Sequence, residues 1–446
     1  VNSDIIVEVH PMDRRSFLAL AALPRLGFGA DKLANDYLVM RRSNDPARIQ
    51  VYSPGLARLA NGRLVATCDV STPVEMTSKG ALLESRKRWT HEFYTSDNHG
   101  RSWTLRGEAP MMHARPFEAG RSVYVLGQAG DLTIVRSSDG GETWSGPARL
   151  TEGQKWHQAP CNVHYANGRV YLVMERQTVP DFKGWVVSVL APLVMSAPVD
   201  ADLTRRDSWT FSNELSFNDA VRQAGPPHLI GTPFFANGPT VSGPGDRRHM
   251  APIGWLETNV VQFTDPDHVW FDPSGRTFHL WMRAHTGTSN LACIAKAVES
   301  EDRKSITVSL EHAPTGEPML YVPCPGGHMK FHIVYDAKMR LFWLVSSQST
   351  DSMTRPDRLP AERYNLPNNE RHRLALHFSK NCIDWCYAGL IAEGGSPRQA
   401  RHYASAVIDG EDLHVLSRSG DERAATAHDG NMITFHTVRN FRRLVY

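Results

Sequence analysis

Cysteine is scarce in this chain: six residues in 446, at 68, 161, 293, 324, 382 and 386. None forms a CxxC pair or a zinc-knot spacing, which excludes a disulfide-dense scaffold and a finger-type metal domain. Cys382 and Cys386 are near enough in sequence to pair, and free buried thiols are the competing reading. Charge of one sign is missing too. Lys and Arg total 49 against 47 Asp and Glu, a formal charge of +2 with no basic run, so nucleic acid finds no footprint and an acidic ligand must be met by local cations. Beyond the first thirty residues no apolar stretch is long enough to span a membrane. What the chain has in number is glycine, proline and tryptophan, 33, 28 and 11 residues, a composition suited to many short strands and tight turns.

The leader stands apart. Asp13-Arg14-Arg15-Ser16-Phe17-Leu18, an alanine- and leucine-rich run and a small-residue stretch to Ala30 resemble a twin-arginine export signal, with Met12 as the expected start. The expectation is an extension plus signal over 1–30, a single domain over 31–446, and a periplasmic or secreted monomer.

Ser137-Ser138-Asp139-Gly140-Gly141-Glu142-Thr143-Trp144 fits S-x-D-x-G-x-T-W at every fixed position. Asp139 is able to cap its own turn, the glycines permit positive φ, and Trp144 is expected to pack the hairpin against its blade. A second copy runs from Ser96 to Trp103 with Asn98 in the aspartate's place, and a worn copy runs from Ser379 to Trp385. Around these motifs one theme recurs: a polar start, a short apolar strand, a turn often marked Asn-Gly (61–62, 167–168), and a second apolar strand. Six such units can be counted, and the gap before Gly254 leaves room for a seventh. The fold class is therefore all-β, a repeat architecture of hairpin units. Residues 350–373 read as a rim loop, and His428–His436 as a strand that closes the ring against N-terminal chain.

The repeated motif is an Asp-box, and on it the chain resembles the sialidase (neuraminidase) superfamily of carbohydrate-active propellers, which implies a six- or seven-bladed β-propeller of four-stranded antiparallel blades. In a propeller the starts of the innermost strands face one funnel. Here those starts carry Tyr52, His113 with Arg115, His157, Glu257 with Asn259, His328 with Lys330, and Arg401 with His402. Each has a blander reading as a satisfied turn residue, but a purely structural propeller would seal its axis with small or apolar side chains. The resemblance implies three arginines that hold a substrate carboxylate, the first in a Phe-Arg-Ile-Pro motif, and a tyrosine–glutamate nucleophile pair. The matching segment is Val51-Tyr52-Ser53-Pro54, where a phenol cannot imitate a bidentate guanidinium.

Trp156-His157-Gln158-Ala159-Pro160, Gly326 to Phe331, Arg401-His402-Tyr403 and Asn431 to Phe435 are similar instead to propellers that act on uronate polysaccharides, such as ulvan lyases and enzymes cleaving rhamnose–glucuronate linkages. β-Elimination needs a base near neutrality, an acid, and a cation or amide that neutralises the carboxylate. The expected roles are His157 and His113 as base and acid with Tyr52 as a competing acid. Arg115, Lys330 and Arg401 are the expected neutralisers, with Glu257, Asn259, His328 and His402 at the substrate. A glycoside hydrolase, sialidase-like or rhamnosidase-like, and a non-catalytic glycan-binding propeller are the alternatives. The expected partner is an acidic polysaccharide or oligosaccharide. The expected chemistry requires no cofactor; a structural calcium or zinc stays open, with His328, His332 and Asp336 or Asp265, Asp267 and His268 as candidates. Residues i and i+4 on one strand, however, sit about 13 Å apart, too far for one ion.

Overall fold

Short apolar runs bounded by turn residues pair into hairpins, and the hairpins pair into sheets. The computed structural model describes residues 31–73, 87–182, 186–225, 254–285, 289–350, 358 and 370–446. The expected export signal, most of the expected rim loop and part of the gap before Gly254 lie outside those residues.

Among the described residues six antiparallel sheets form the blades of a propeller. Blade I holds Gln50–Arg58, Leu64–Pro73, Lys87–Ser96 and Thr104–Ala109, and blade II holds Met112–Ala119, Ser122–Ala129, Asp131–Ser137 and Ala148–Arg149. Blade III has an innermost strand in two pieces, Trp156–His157 and His164–Ala166, followed by Arg169–Gln177, Leu190–Pro198 and Thr210–Phe211. Blade IV comprises Trp255–Val261, Thr277–Ala284, Leu291–Glu299 and Ile306–Ser309, with Tyr321–Pro323 added beside its third strand. Blade V comprises His332–Asp336, Leu341–Ser347, Arg373–Ser379 and Cys386–Glu393. Blade VI contains Arg401–Asp409, Asp412–Ser419 and Met432–Val438, and takes its outer strand, Tyr37–Arg42, from the other end of the chain. The stretch that left room for a seventh blade instead supplies the outer half of blade III and a short helix, Phe217–Ala224, capped by Ser216. The ring thus has six blades.

Each blade is covered on both faces by its neighbours, so second strands such as Leu64–Pro73 and Leu341–Ser347 are buried along nearly their whole length. The apolar core is correspondingly divided among the blade interfaces. Phe93, Val125 and Val135 join blades I and II, and Phe117, Leu172 and Met195 join II and III. Tyr171, Phe217 and Phe278 fill the next interface, then Phe263, Trp281 and Phe342. Trp343, Leu376 and Val415 lie between V and VI. Leu64, Tyr94 and Phe435 lie between VI and I. A fully buried side chain of this size contributes ~1.5–3 kcal/mol.

The turns follow their residues. Asn167 and Gly168 both have positive φ, 54° and 70°, as the tight hairpin after Ala166 requires. In the Ser137–Trp144 turn, Asp139 accepts from the Thr143 amide (3.0 Å) and hydroxyl (2.5 Å), while Ser137 Oγ accepts from the Gly141 amide (2.7 Å). Trp144, however, reaches across to blade I, its ring 4.8 Å from Phe93. Trp103 likewise lies 5.5 Å from Phe435 of blade VI, and Trp385 packs into the interface with blade IV. The expectation that this tryptophan seals its own blade is corrected: in blades I, II and V the motif staples the blade to the preceding one, because the outer turn overhangs the neighbouring sheet. All six cysteines are free thiols, so Cys382 and Cys386 do not pair. Among the described residues no helix is long and apolar enough to cross a membrane.

Candidate active site

Four innermost strands share one irregularity near their start. Register against the second strand slips between Tyr52 and Gly55, Met112 and Arg115, Leu256 and Asn259, and His402 and Ser405. Within each slip one residue is left-handed: Ser53 (φ 46°), His113 (53°), Glu257 (60°) and Tyr403 (53°). A bulge re-aims the side chain it carries, and a non-glycine residue in this region costs ~1–3 kcal/mol. Three of the four are ionisable.

Two of them, Glu257 and Tyr403, meet on Arg283, the second-to-last residue of the second strand in blade IV. Its Nη1 donates to the Tyr403 hydroxyl (2.7 Å) and to Glu257 Oε2 (3.2 Å), and its Nε donates to the His328 carbonyl (2.6 Å). Three guanidinium groups surround the Tyr403 ring, with Arg418 at 5.2 Å, Arg283 at 5.9 Å and Arg371 at 6.0 Å from its centroid. Arg418 also lies 4.2 Å over the ring of Tyr52, whose hydroxyl donates to Asp429 Oδ1 (2.8 Å). A guanidinium from the second strand of blade VI thus stands beside Tyr52. Burial raises the Tyr403 pKa, opposed by Arg283, so the phenol rests protonated.

On the other side of the funnel the rings of His113 and His157 stand edge to face, 5.1 Å apart. Asp69, fully buried, accepts from the His113 backbone amide (2.8 Å), lies 2.6 Å from His91 Nδ1, and faces His113 Nε2 at 3.6 Å. Gln128 Nε2 approaches His113 Nδ1 at 3.0 Å. Burial lowers the pKa of His113, offset in part by Asp69. Burial, with His113 and Arg283 adding to it, holds His157 down at about 3. Both imidazoles are neutral near pH 7.

Of the residues anticipated from sequence, Tyr52, His113, His157 and Glu257 come together here. His328 borders the group through its carbonyl, and His402 sits fully buried behind it, 3.1 Å from Arg371 Nη1. The others lie elsewhere. Arg115 donates to the carbonyls of Val173 (2.7 Å) and Asn162 (3.2 Å) and lines a cavity of about 440 Å³ toward the other end of the strands. Arg401 donates to Ala400 and Gly420 carbonyls and stacks under Tyr37. Asn259 clamps the Phe331 carbonyl and the Ile333 amide. Lys330, held down at about 8 by burial, donates to the Ala404 carbonyl. The expected metal ligands are also separated: Arg442 holds Asp336 (2.6 Å), Arg340 holds Asp265 (2.9 Å), and His268 stacks on Phe263 at 3.8 Å.

Sequence reasoning missed Tyr403, Arg283, Arg371, Arg418, Asp69 and Asp429. Tyr403 had a signal, since it directly follows Arg401 and His402. The arginines had none, because they sit at ends of second strands or before a third strand rather than at inner-strand starts.

The chain is similar in structure to a protein of unknown function from Dyadobacter fermentans, at 13% identity and a TM-score of 0.51, covering 91% of this chain and 98% of that one. It is also similar to an α-L-arabinofuranosidase of Fusarium graminearum in complex with an iminosugar inhibitor, at 10% identity and a TM-score of 0.46, over 91% and 97% of the two chains. The sialidase of Trypanosoma rangeli in complex with sialic acid follows at 12% identity and a TM-score of 0.47, over 93% of this chain and 58% of that one. No protein-family model and no curated protein matches the sequence. The likeness to the Dyadobacter protein, nearly end to end in both chains, shows that the two share a fold.

Proposed function

We propose that the chain is a carbohydrate-active enzyme that cleaves the glycosidic bond of a carboxylate-bearing sugar by hydrolysis, with Tyr403 as nucleophile. The observation that supports this most is the joint anchoring of the Tyr403 hydroxyl and the Glu257 carboxylate on Arg283, inside a shell of three guanidinium groups. A substrate carboxylate placed among Arg283, Arg371 and Arg418 presents its anomeric carbon to the phenol. Glu257 takes the phenolic proton as the Tyr403 oxygen bonds to that carbon and the glycosidic bond breaks, and the leaving oxygen takes a proton from water on the His113 side, where Asp69 positions the neutral imidazole. Water then cleaves the tyrosyl intermediate and restores both groups. Sialosides and uronides both carry the required carboxylate.

β-Elimination from a uronate is the second reading, favoured by the paired imidazoles of His113 and His157 beside the same cations. It ranks lower because a base held at about 3 abstracts a weakly acidic carbon proton poorly. Incubating the protein with sialyl-lactose, ulvan and gum arabic, following reducing ends and ultraviolet absorbance together, separates the two: elimination leaves an absorbing unsaturated uronate. Tyr403→Phe is expected to abolish release of reducing ends. Full activity in that variant would overturn the nucleophile assignment, and absorbance growing at the same rate as reducing ends would replace hydrolysis by elimination.

A further inference from the structure

Away from the funnel, where blade VI meets blade I, His99, Asp409 and His414 place one ligand atom each within 4.8 Å of one another. We propose that this is a binding site for a zinc-class divalent ion that fastens the junction where the ring closes. His99 lies in the outer turn of blade I, while Asp409 and His414 flank the hairpin between the first two strands of blade VI. His99 Nδ1 is 2.6 Å and His414 Nε2 3.3 Å from the same oxygen, Asp409 Oδ2. A tetrahedral ion with ligand bonds of ~2.0–2.2 Å holds its ligand atoms ~3.3–3.5 Å apart, so a shift of about an ångström by His99 admits the ion.

The surroundings are those of a supported site. The far ring nitrogen of His414, Nδ1, lies 3.1 Å from Thr437 Oγ1, which aims Nε2 at the shared position. Arg58 Nε holds the other carboxylate oxygen, Oδ1, at 2.6 Å and leaves Oδ2 to the ion. Asp409 and His414 side chains are 6% and 3% exposed, whereas His99 is 66% exposed. Two ligands therefore form a fixed wall and the third closes over it, with water completing four-coordination. Two imidazoles and one carboxylate select zinc, cobalt or copper over calcium and magnesium, which want oxygen. This site does not depend on the hydrolase reading, and its test does not use activity.

Tag-free full-length protein, stripped with chelator, is titrated with ZnCl2 by equilibrium dialysis, and thermal unfolding is followed with and without saturating zinc. The expected result is one zinc per chain and a rise in Tm of about 3–5 °C at saturation. In His99→Ala, which removes the exposed ligand and is measured against its own metal-free Tm, both are lost. Cobalt is expected to give visible absorption bands of a tetrahedral complex in the unmodified chain alone. Zinc binding with equal stoichiometry and equal Tm response in His99→Ala, or no Tm response in the unmodified chain, overturns the proposal.

Discussion

Tyr403 is held by contradictory demands: left-handed backbone at φ 53°, a buried ring, and a hydroxyl anchored on Arg283. Such a residue is retained when its side chain must stand in one place. Tyr403→Phe keeps the ring and loses the oxygen, so kcat is expected to fall by ~10³-fold or more with the fold intact, read from initial rates and circular dichroism together. Arg418→Lys keeps the charge but not the planar fork over Tyr52 and Tyr403. A rise in KM for carboxylate sugars of about 10-fold or more is the expected outcome, with little change toward a neutral aryl glycoside if one is turned over at all. An equal effect on both substrate types would assign Arg418 a structural role.

In blades I and II, which carry both, capped outer turns and inner-strand bulges do opposite work. The outer turn is local in origin: its serine, aspartate and glycines satisfy one another, as Asp139 does with Thr143, and so it was legible in the sequence. Gly100, in the matching turn of blade I, has φ +79°, and a Cβ there would stand 2.2 Å from a ring atom of Phe435 in blade VI. Gly100→Ala is therefore expected to destabilise by about 2–4 kcal/mol in denaturant titration, from the strained φ and the overpacked ring. The bulges left no such mark. A two-residue period run through Arg401, His402 and Tyr403 puts Tyr403 on the face of Arg401, yet the slip between His402 and Ser405 separates them, sending Arg401 outward under Tyr37 and Tyr403 into the funnel.

Closure of the ring by Tyr37–Arg42 against Met432–Val438 joins the two ends of the folded unit. Deleting residues 32–44 exposes the edge of Met432–Val438 and uncovers part of the interface around Phe435, so a loss of cooperative thermal unfolding or of solubility is expected. Acid should act on the whole molecule as well. Burial holds His328 at about 3 and His377 and His436 at about 4, against about 6.5 in an unfolded chain. Between those values the unfolded state binds more protons, so stability is full above about pH 6.5 and is lost as pH falls toward 4, by up to ~1.4 kcal/mol per pH unit for each group. Glu175, raised by burial from 4.5 to about 8, works in the other direction: its folded form binds the extra proton, so its contribution is full below about pH 4.5 and is lost as pH rises toward 8. Glu175→Gln should remove this opposing slope, so that Tm rises more steeply with pH between about 4.5 and 8 in the variant than in the unmodified chain.

The repeat of capped turns and paired apolar strands is written in neighbouring residues, because turn chemistry and strand periodicity act over fewer than ten positions. From it follow the all-β class, the closing C-terminal strand and the idea of a polar funnel fed by strand starts, Tyr52, His113, His157 and Glu257 among them. Blade number, the staple role of Trp144, and the gathering of Arg283, Arg371 and Arg418 about Tyr403 depend on which sheets lie face to face. Those are contacts between residues up to hundreds of positions apart, and only the closed ring brings them within reach.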